Sequence, residues 1–318
     1  MIILNIRFKI ATIFFTLFFA YCTAQQKPVD VKDVERIIKT LSADDMQGRK
    51  IFTPGIEKAA TFIEDEFKSA GLQPLAGETS LRINFTRAND TRPLFNVAGM
   101  IPGKSRPKEI VIFSAHYDHL GIVKPLEGDS IANGADDDAS GVTAVISLAK
   151  YYKQLNNNER TLIFVTFTGE ESGGFGSRNF SQKLNPDDVV AMFNIEMIGK
   201  DSKFGKNTAF ITGFERSDFG EILQRNLQGS EFKFYPDPYP AQNLFYRSDN
   251  ATLAALGVPA HSISTDQIDT DKFYHTVDDE FETLDVNNIT ATIKALAISS
   301  ESIVAGKDTP KRIPKLTR

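Results

Sequence analysis

Glu109-Ile110-Val111-Ile112-Phe113-Ser114-Ala115 runs without a break into His116-Tyr117-Asp118. A continuous apolar run of this length reads as a strand in a sheet covered on both faces. It stops at a histidine and a carboxylate. Thr161–Phe167 is a second such run and stops before Glu170-Glu171. Val189–Ile195 is a third and stops at Glu196. In open α/β sheets, ligands bind beyond the C-terminal ends of the strands. Three chemistry-bearing groups in that one position point to a site there. Thr208–Thr212 and Val258–Ser264 read as two further strands.

Helical patterns separate these runs. Val31–Leu41, Ala139–Leu155, Ser217–Gln228 and Val286–Val304 have helical spacing. Thr53-Pro54-Gly55 reads as a helix start, with Thr53 as N-cap and Pro54 in the first position. Ile56, Ala59, Ala60, Ile63 and Phe67 follow at helical intervals, and Gly71 stops the helix. Leu94–Ile101 alternates weakly and ends at Pro102-Gly103, a turn signal. Phe232–Pro240 is aromatic and proline-containing and reads as a loop. The alternation predicts an α/β fold: a single domain with a mixed, mostly parallel central sheet and helices on both faces. A chain of 318 residues without repeats or a low-complexity linker suits one large domain.

Composition narrows the function classes. A net charge of -5 argues against a nucleic-acid-binding surface, which is normally basic. Arg7 and Lys9 precede the apolar run Ile10–Ala20 and the small-residue stretch Cys22-Thr23-Ala24. This pattern reads as a secretory signal peptide over residues 1–24, cleaved after Ala24, and predicts export to the periplasm or the exterior. The run is short of the roughly 20 residues a membrane span needs, so no stable span is expected after cleavage. Cys22 also admits a lipid anchor, although Phe19-Ala20-Tyr21 is a poor lipobox. Residues 25–306 then form the folded domain, and 307–318 a basic tail read as a loose end. Cys22 is the one cysteine. Its removal with the leader excludes disulfides and thiol nucleophiles, and leaves nitrogen and oxygen donors for any metal.

His116 and Asp118 share one side of an extended segment. One reading has His116 binding metal while Asp118 accepts its other ring N–H; the alternative is a turn aspartate beside a packed histidine. Asp136-Asp137-Asp138 lies between Gly134 and Gly141 and opens into a helix. Adjacent carboxylates repel, a positive centre relieves that repulsion, and one carboxylate can bridge two cations. Adjacent Glu170 and Glu171 point in different directions, so one can ligate metal while the other moves a proton. His275 stands in a loop with acidic neighbours. His119 reads as structural or cleft-lining, and His261, inside an apolar strand, as a core histidine. Histidines with carboxylates suit zinc. Phe245, Tyr246, Tyr235 and Tyr239 are candidates to line a substrate pocket.

Together these segments resemble the secreted di-zinc aminopeptidase family, typified by bacterial leucyl aminopeptidases. The matching pieces are Ser-Ala-His-Tyr-Asp-His-Leu-Gly (114–121), Gly-Ala-Asp-Asp-Asp-Ala-Ser-Gly (134–141), Thr-Gly-Glu-Glu-Ser-Gly-Gly-Phe-Gly-Ser (168–177), Asn-Ile-Glu-Met-Ile-Gly (194–199), Arg-Ser-Asp-Asn (247–250) and Tyr-His-Thr-Val-Asp-Asp (274–279). The resemblance implies two zinc ions and a peptide substrate. His116 and Glu196 would hold one zinc, Glu171 and His275 the other, and Asp137 would bridge them. Glu170 would be the general base, Asp118 would orient His116, and Tyr274 would stabilise the oxyanion. The family often has a cis peptide between the residues matching Asp137 and Asp138. Two positions depart from the pattern. Glu196 stands where the family usually has Asp, an exchange that tends to accompany carboxypeptidases in related di-zinc exopeptidases. Asn250 stands where many relatives have a non-ligating His. A carboxypeptidase, a glutaminyl cyclase and a non-catalytic binding domain on the same fold are the competing readings. The absence of tryptophan and the intact ligand set argue against the last two.

Overall fold

A computed structural model describes residues 29–316. The leader and the Cys22 anchor reading lie outside the described residues. Helix α1 is Val31–Leu41, with the Asp30 carboxylate accepting from the Lys32 N–H at its start. Val34, Ile37, Ile38 and Leu41 form its buried stripe. Helix α2, Pro54–Ser69, starts at the expected proline, and the five apolar positions from Ile56 to Phe67 are buried. Thr53 occupies the cap position, but its hydroxyl donates to the Lys50 carbonyl instead of capping the helix.

The strands follow as β1 (Arg82–Arg87), β2 (Asp90–Ile101) and β3 (Arg106–His116). A two-stranded hairpin comes next, β4 (Gly121–Leu126) and β5 (Asp129–Ala132). Residues Ala135–Ser140 take a wider helical turn before α3, Gly141–Leu155, which therefore starts two residues later than its spacing suggests. Then come β6 (Arg160–Phe167), α4 (Phe175–Gln182), β7 (Val189–Ile195), β8 (Thr208–Ile211) and α5 (Phe219–Asn226). The chain closes with β9 (Lys233–Pro236), α6 (Asn250–Ala254), β10 (Ala260–Ser264) and α7 (Val286–Val304).

Eight strands form one sheet in the order β1-β2-β6-β3-β7-β10-β8-β9. The inner four, β6-β3-β7-β10, are mutually parallel, whereas β1, β2 and the β10–β8 pair are antiparallel. This is the mixed sheet the sequence predicts. Alternation along β3 explains its unbroken apolar run. Val111, Phe113 and Ala115 join the core under α1, α2, α3, α5 and α7, while Ile112 joins the core under α4 and α6. Phe113 lies with its ring centroid 4.8 Å from Phe193 and 5.4 Å from Phe164, locking the three central strands together. Because the four central strands are parallel, their C-terminal ends share one rim.

Several expectations need correction. The aromatic segment 232–240 contains the edge strand β9, which is too short and proline-broken to stand out. The basic tail is docked through residue 316: Ile313 is buried, its N–H donates to the Gly257 carbonyl, and Arg312 donates to the Pro186 and Val189 carbonyls. One apolar side chain and free backbone donors outweigh the segment's hydrophilic composition. Among the described residues, no helix is long and apolar enough to cross a membrane.

Candidate metal centre

The rim of the parallel strands gathers the predicted residues. His116 closes β3 and is 2% exposed. Its Nε2 lies 3.1 Å from Asp137 Oδ1, and the other oxygen of Asp137 lies 3.2 Å from His275 Nε2. His275 Nε2 is also 3.1 Å from Glu171 Oε2. The two oxygens of Asp137 thus face two different imidazole nitrogens. Donors in a tetrahedron around an ion at about 2.05 Å sit roughly 3.3 Å apart, so these spacings fit ligand edges. Glu170, Glu171, Glu196, Tyr274 and His275 line the same cavity, of about 280 Å³.

The acidic loop is held from several sides. The Asp137–Asp138 peptide is cis. Asp138 accepts from the backbone N–H groups of His116, Gly141 and Met197, tying the end of β3, the start of α3 and the end of β7 together. Asp279 accepts from the N–H groups of Asp136 and Asp137. Arg49, fully buried, donates to the carbonyls of Leu41, Tyr117, Asn133 and Gly134. Sequence reasoning missed Arg49 and gave Asp279 no role. Gln47-Gly48-Arg49-Lys50 looks like a charged surface turn, and nothing in it signals what lies beneath.

Asp118 acts differently from expectation. The His116 Nδ1 is 3.1 Å from the Asp118 backbone carbonyl, while the Asp118 carboxylate is 3.9 Å away. That carboxylate accepts from the Glu170 N–H at 3.1 Å. The extended backbone puts the carbonyl closer to the ring, so Asp118 orients His116 through its main chain and Glu170 through its side chain. His119 is placed in the centre too, its Nδ1 2.8 Å from Glu171 Oε1. The groups His119, Asp137 and Glu171 each bring one donor atom within 4.8 Å of the others.

Burial moves several carboxyls of the centre away from their usual range. Burial, then the charges of Glu196, Asp249 and Glu171 working against His116, push the Glu170 carboxyl up to about 10. Burial likewise lifts Asp118 to about 7 and Glu196 to about 7. Burial also acts to raise Asp137, but the neighbouring His119, His116 and His275 outweigh it and hold this carboxylate well below its usual range. Beside the centre, Asp136 and Asp271 have their own cation in Lys200, at 3.4 and 2.6 Å.

The other candidates fall outside the cleft. His261 is a core histidine between Thr212 and Ser217, as its apolar strand suggests. Asn250 is buried and bonded to Phe245, Ala260 and Ser262. The proposed pocket aromatics do not line the cavity. Phe245 packs on His261 and under Arg216, and Tyr235 stacks on Phe204. The apolar wall comes instead from Met197, Phe210, Leu244 and Ile268, which belong to turns and an inner strand that carry no cleft signal.

A sequence profile of peptidase family M28 matches residues 96–299, from β2 through most of α7. The chain belongs to that family. A probable leucine aminopeptidase of Trichophyton verrucosum is 32% identical over 211 residues, covering 61% of this chain and 52% of that protein. The chain spans about half the length of the curated relatives it matches. Among solved structures, a zinc aminopeptidase from Bacillus subtilis superposes with a TM-score of 0.70 at 14% identity, covering 92% of this chain and 99% of that one. A glutaminyl cyclase from Porphyromonas gingivalis gives 0.68 at 16% identity, over 86% and 99%. At such identities the likeness is one of fold, and the fold alone does not separate the two chemistries.

Proposed function

We propose that this protein is a zinc-dependent aminopeptidase with two zinc ions. His116, Glu196 and Asp137 would hold one, and Glu171, His275 and Asp137 the other. The observation that carries the reading is the double facing of Asp137, with one oxygen toward each of two histidine Nε2 atoms. Zinc in such a site supplies Lewis acidity toward water and toward the scissile carbonyl. Glu170 lies in the cavity wall with its backbone anchored by Asp118; bound cations would counter the burial that raises its carboxyl, and as a carboxylate it would take a proton from the attacking water and return it to the leaving amine. The Tyr274 hydroxyl is the donor for the developing oxyanion. Burial and the charges of Asp137 and Glu171 raise its pKa, so it stays protonated through neutral pH.

Glu170→Gln should keep zinc bound and nearly abolish turnover; full activity in that variant sinks the assignment. The primary assay compares amino-acyl p-nitroanilides with N-blocked dipeptides, before and after chelation. Chelator-sensitive release from the free-amine substrates supports the proposal. Cleavage of the blocked dipeptides alone makes the enzyme a carboxypeptidase. Glu196 favours that second reading, as does Arg247, an exposed guanidinium in the cavity wall. Cyclisation of an N-terminal glutamine without hydrolysis turns the reading to a cyclase. Export rests on the charged and apolar leader, and fractionation of cells making the full chain tests it.

A further inference from the structure

We infer that His119 is a positioning residue for the second zinc site, acting by fixing the Glu171 carboxylate. The inference rests on the two-zinc reading above. Glu171 divides its oxygens. Oε2 lies 3.1 Å from His275 Nε2, on the ligand edge, while Oε1 lies 2.8 Å from His119 Nδ1. The same Nδ1 is 3.7 Å from Asp137 Oδ2, beyond hydrogen-bond reach, so the ring is aimed at Glu171. An N–H donated to one carboxylate oxygen restricts rotation about the last side-chain bond and keeps the other oxygen facing the ion.

The seat of the ring is built for this. His119 is 1% exposed. Gly134, at φ +58°, lies against it, and a Cβ there would fall 2.6 Å from both Cγ and Cδ2 of the ring. The ring meets His275 edge-on at 5.8 Å, and the His119 backbone N–H donates to the Arg49 carbonyl at 3.4 Å. Its Nε2 is buried and finds no hydrogen-bond partner among the described residues. Nδ1 is therefore the productive atom, and the tautomer protonated there satisfies Glu171. The ligand set of two histidines and three carboxylates makes no use of this third histidine.

The test is zinc affinity, measured by competition with a chromogenic chelator on purified wild-type, His119→Ala and His119→Asn proteins. Asparagine carries its amide nitrogen close to where the ring holds Nδ1. His119→Ala should weaken one of two zinc ions by about 10- to 100-fold, the usual effect of losing a partner behind a ligand, and leave the other unchanged. His119→Asn should recover most of that loss, which a role in packing alone would not allow. Unchanged affinities in His119→Ala overturn the inference. So does an asparagine variant as weak as the alanine one, because the ring would then act by packing or as a ligand in its own right. Failure of the wild-type protein to bind two zinc ions would instead defeat the underlying metal assignment.

Discussion

Replacing Arg49 with methionine should cost more than almost any other single substitution away from the ligands. The guanidinium is fully buried and meets backbone carbonyls where a salt bridge would be expected. Nη1 donates to Leu41 and Asn133 at 2.7 and 2.5 Å, Nη2 to Gly134 at 2.9 Å, and Nε to Tyr117 at 2.9 Å. Asp137 O is a weaker fifth acceptor at 3.5 Å. Methionine removes a desolvated charge, which works in its favour, since apolar replacements of buried ions are often neutral. Here the partners stay behind. Four buried carbonyls lose their donor at about 1 kcal/mol or more each, a loss of roughly 4 kcal/mol. That exceeds the usual 0.5–3 kcal/mol range for point mutants. Arg49→Lys keeps the charge and can satisfy fewer acceptors, so it should fall near half of that loss. Urea unfolding at fixed zinc concentration measures both. An Arg49→Met protein within about 1 kcal/mol of wild type would show that water or relaxation serves these carbonyls and would refute the reasoning.

His261 gives a pH prediction. Burial, with Arg216 nearby, lowers its pKa from 6.5 to about 4 although the Thr212 carbonyl opposes this. The unfolded chain therefore binds a proton more readily between those values. Stability is full above pH 6.5 and falls as pH drops toward 4, by roughly 3 kcal/mol at about 1.36 kcal/mol per pH unit. In His261→Gln that slope should shrink when urea midpoints are followed from pH 7 to 4; an identical slope in both proteins rules the histidine out as its source. Gly141→Ala should destabilise by about 1–3 kcal/mol and depress activity, because the new Cβ would sit 2.2 Å from the Ile195 carbonyl and 2.4 Å from Asp138 Oδ1. Thermal melting with zinc present checks this, and a wild-type midpoint would mean the strand end yields freely.

The parts legible in the sequence share one physical trait. Strands β3, β6 and β7 are covered on both faces, so packing alone writes them as apolar runs, and α1 and α7 carry full-length buried stripes. Their ends could be read, and with them His116, Glu170-Glu171 and Glu196. Strand β1 is an edge with an exposed face, the β4–β5 hairpin is largely solvated, and Phe175–Gln182 is short and mostly polar, so none of these shows a clear period. Arg49 and His119 were hidden for a different reason. Apart from Leu41, eight residues before Arg49, their partners are carbonyls and a carboxylate from 52 to 88 residues further along the chain, and no local pattern encodes such a meeting. His119 left one faint signal, a second histidine beside Asp118 in His-Tyr-Asp-His.

The charge balance of the centre links metal to stability. Asp118, Asp137 and Asp138 are buried, and Glu170, Glu171 and Glu196 line the cleft beside them. Lys200 is committed to Asp136 and Asp271, and Arg49 spends its donors on carbonyls. The carboxylates of the cleft have as countercharge the buried Arg49 guanidinium, which acts on Asp137, Asp118 and Asp138, with partly exposed His275 and the buried imidazoles, fewer positive groups than carboxylates. Buried carboxylates without a cation are costly, so the folded chain should bind metal far better than the unfolded one. A ligand at a thousand times its dissociation constant contributes about 4 kcal/mol to the folded state. For a domain of this size that corresponds to a rise of roughly 10 °C in the melting midpoint. Dialysis against a chelator should lower the midpoint by about that much, and added zinc should restore it. A midpoint indifferent to chelation, in protein shown to have lost its metal, would mean that protons neutralise these carboxylates as well as an ion does.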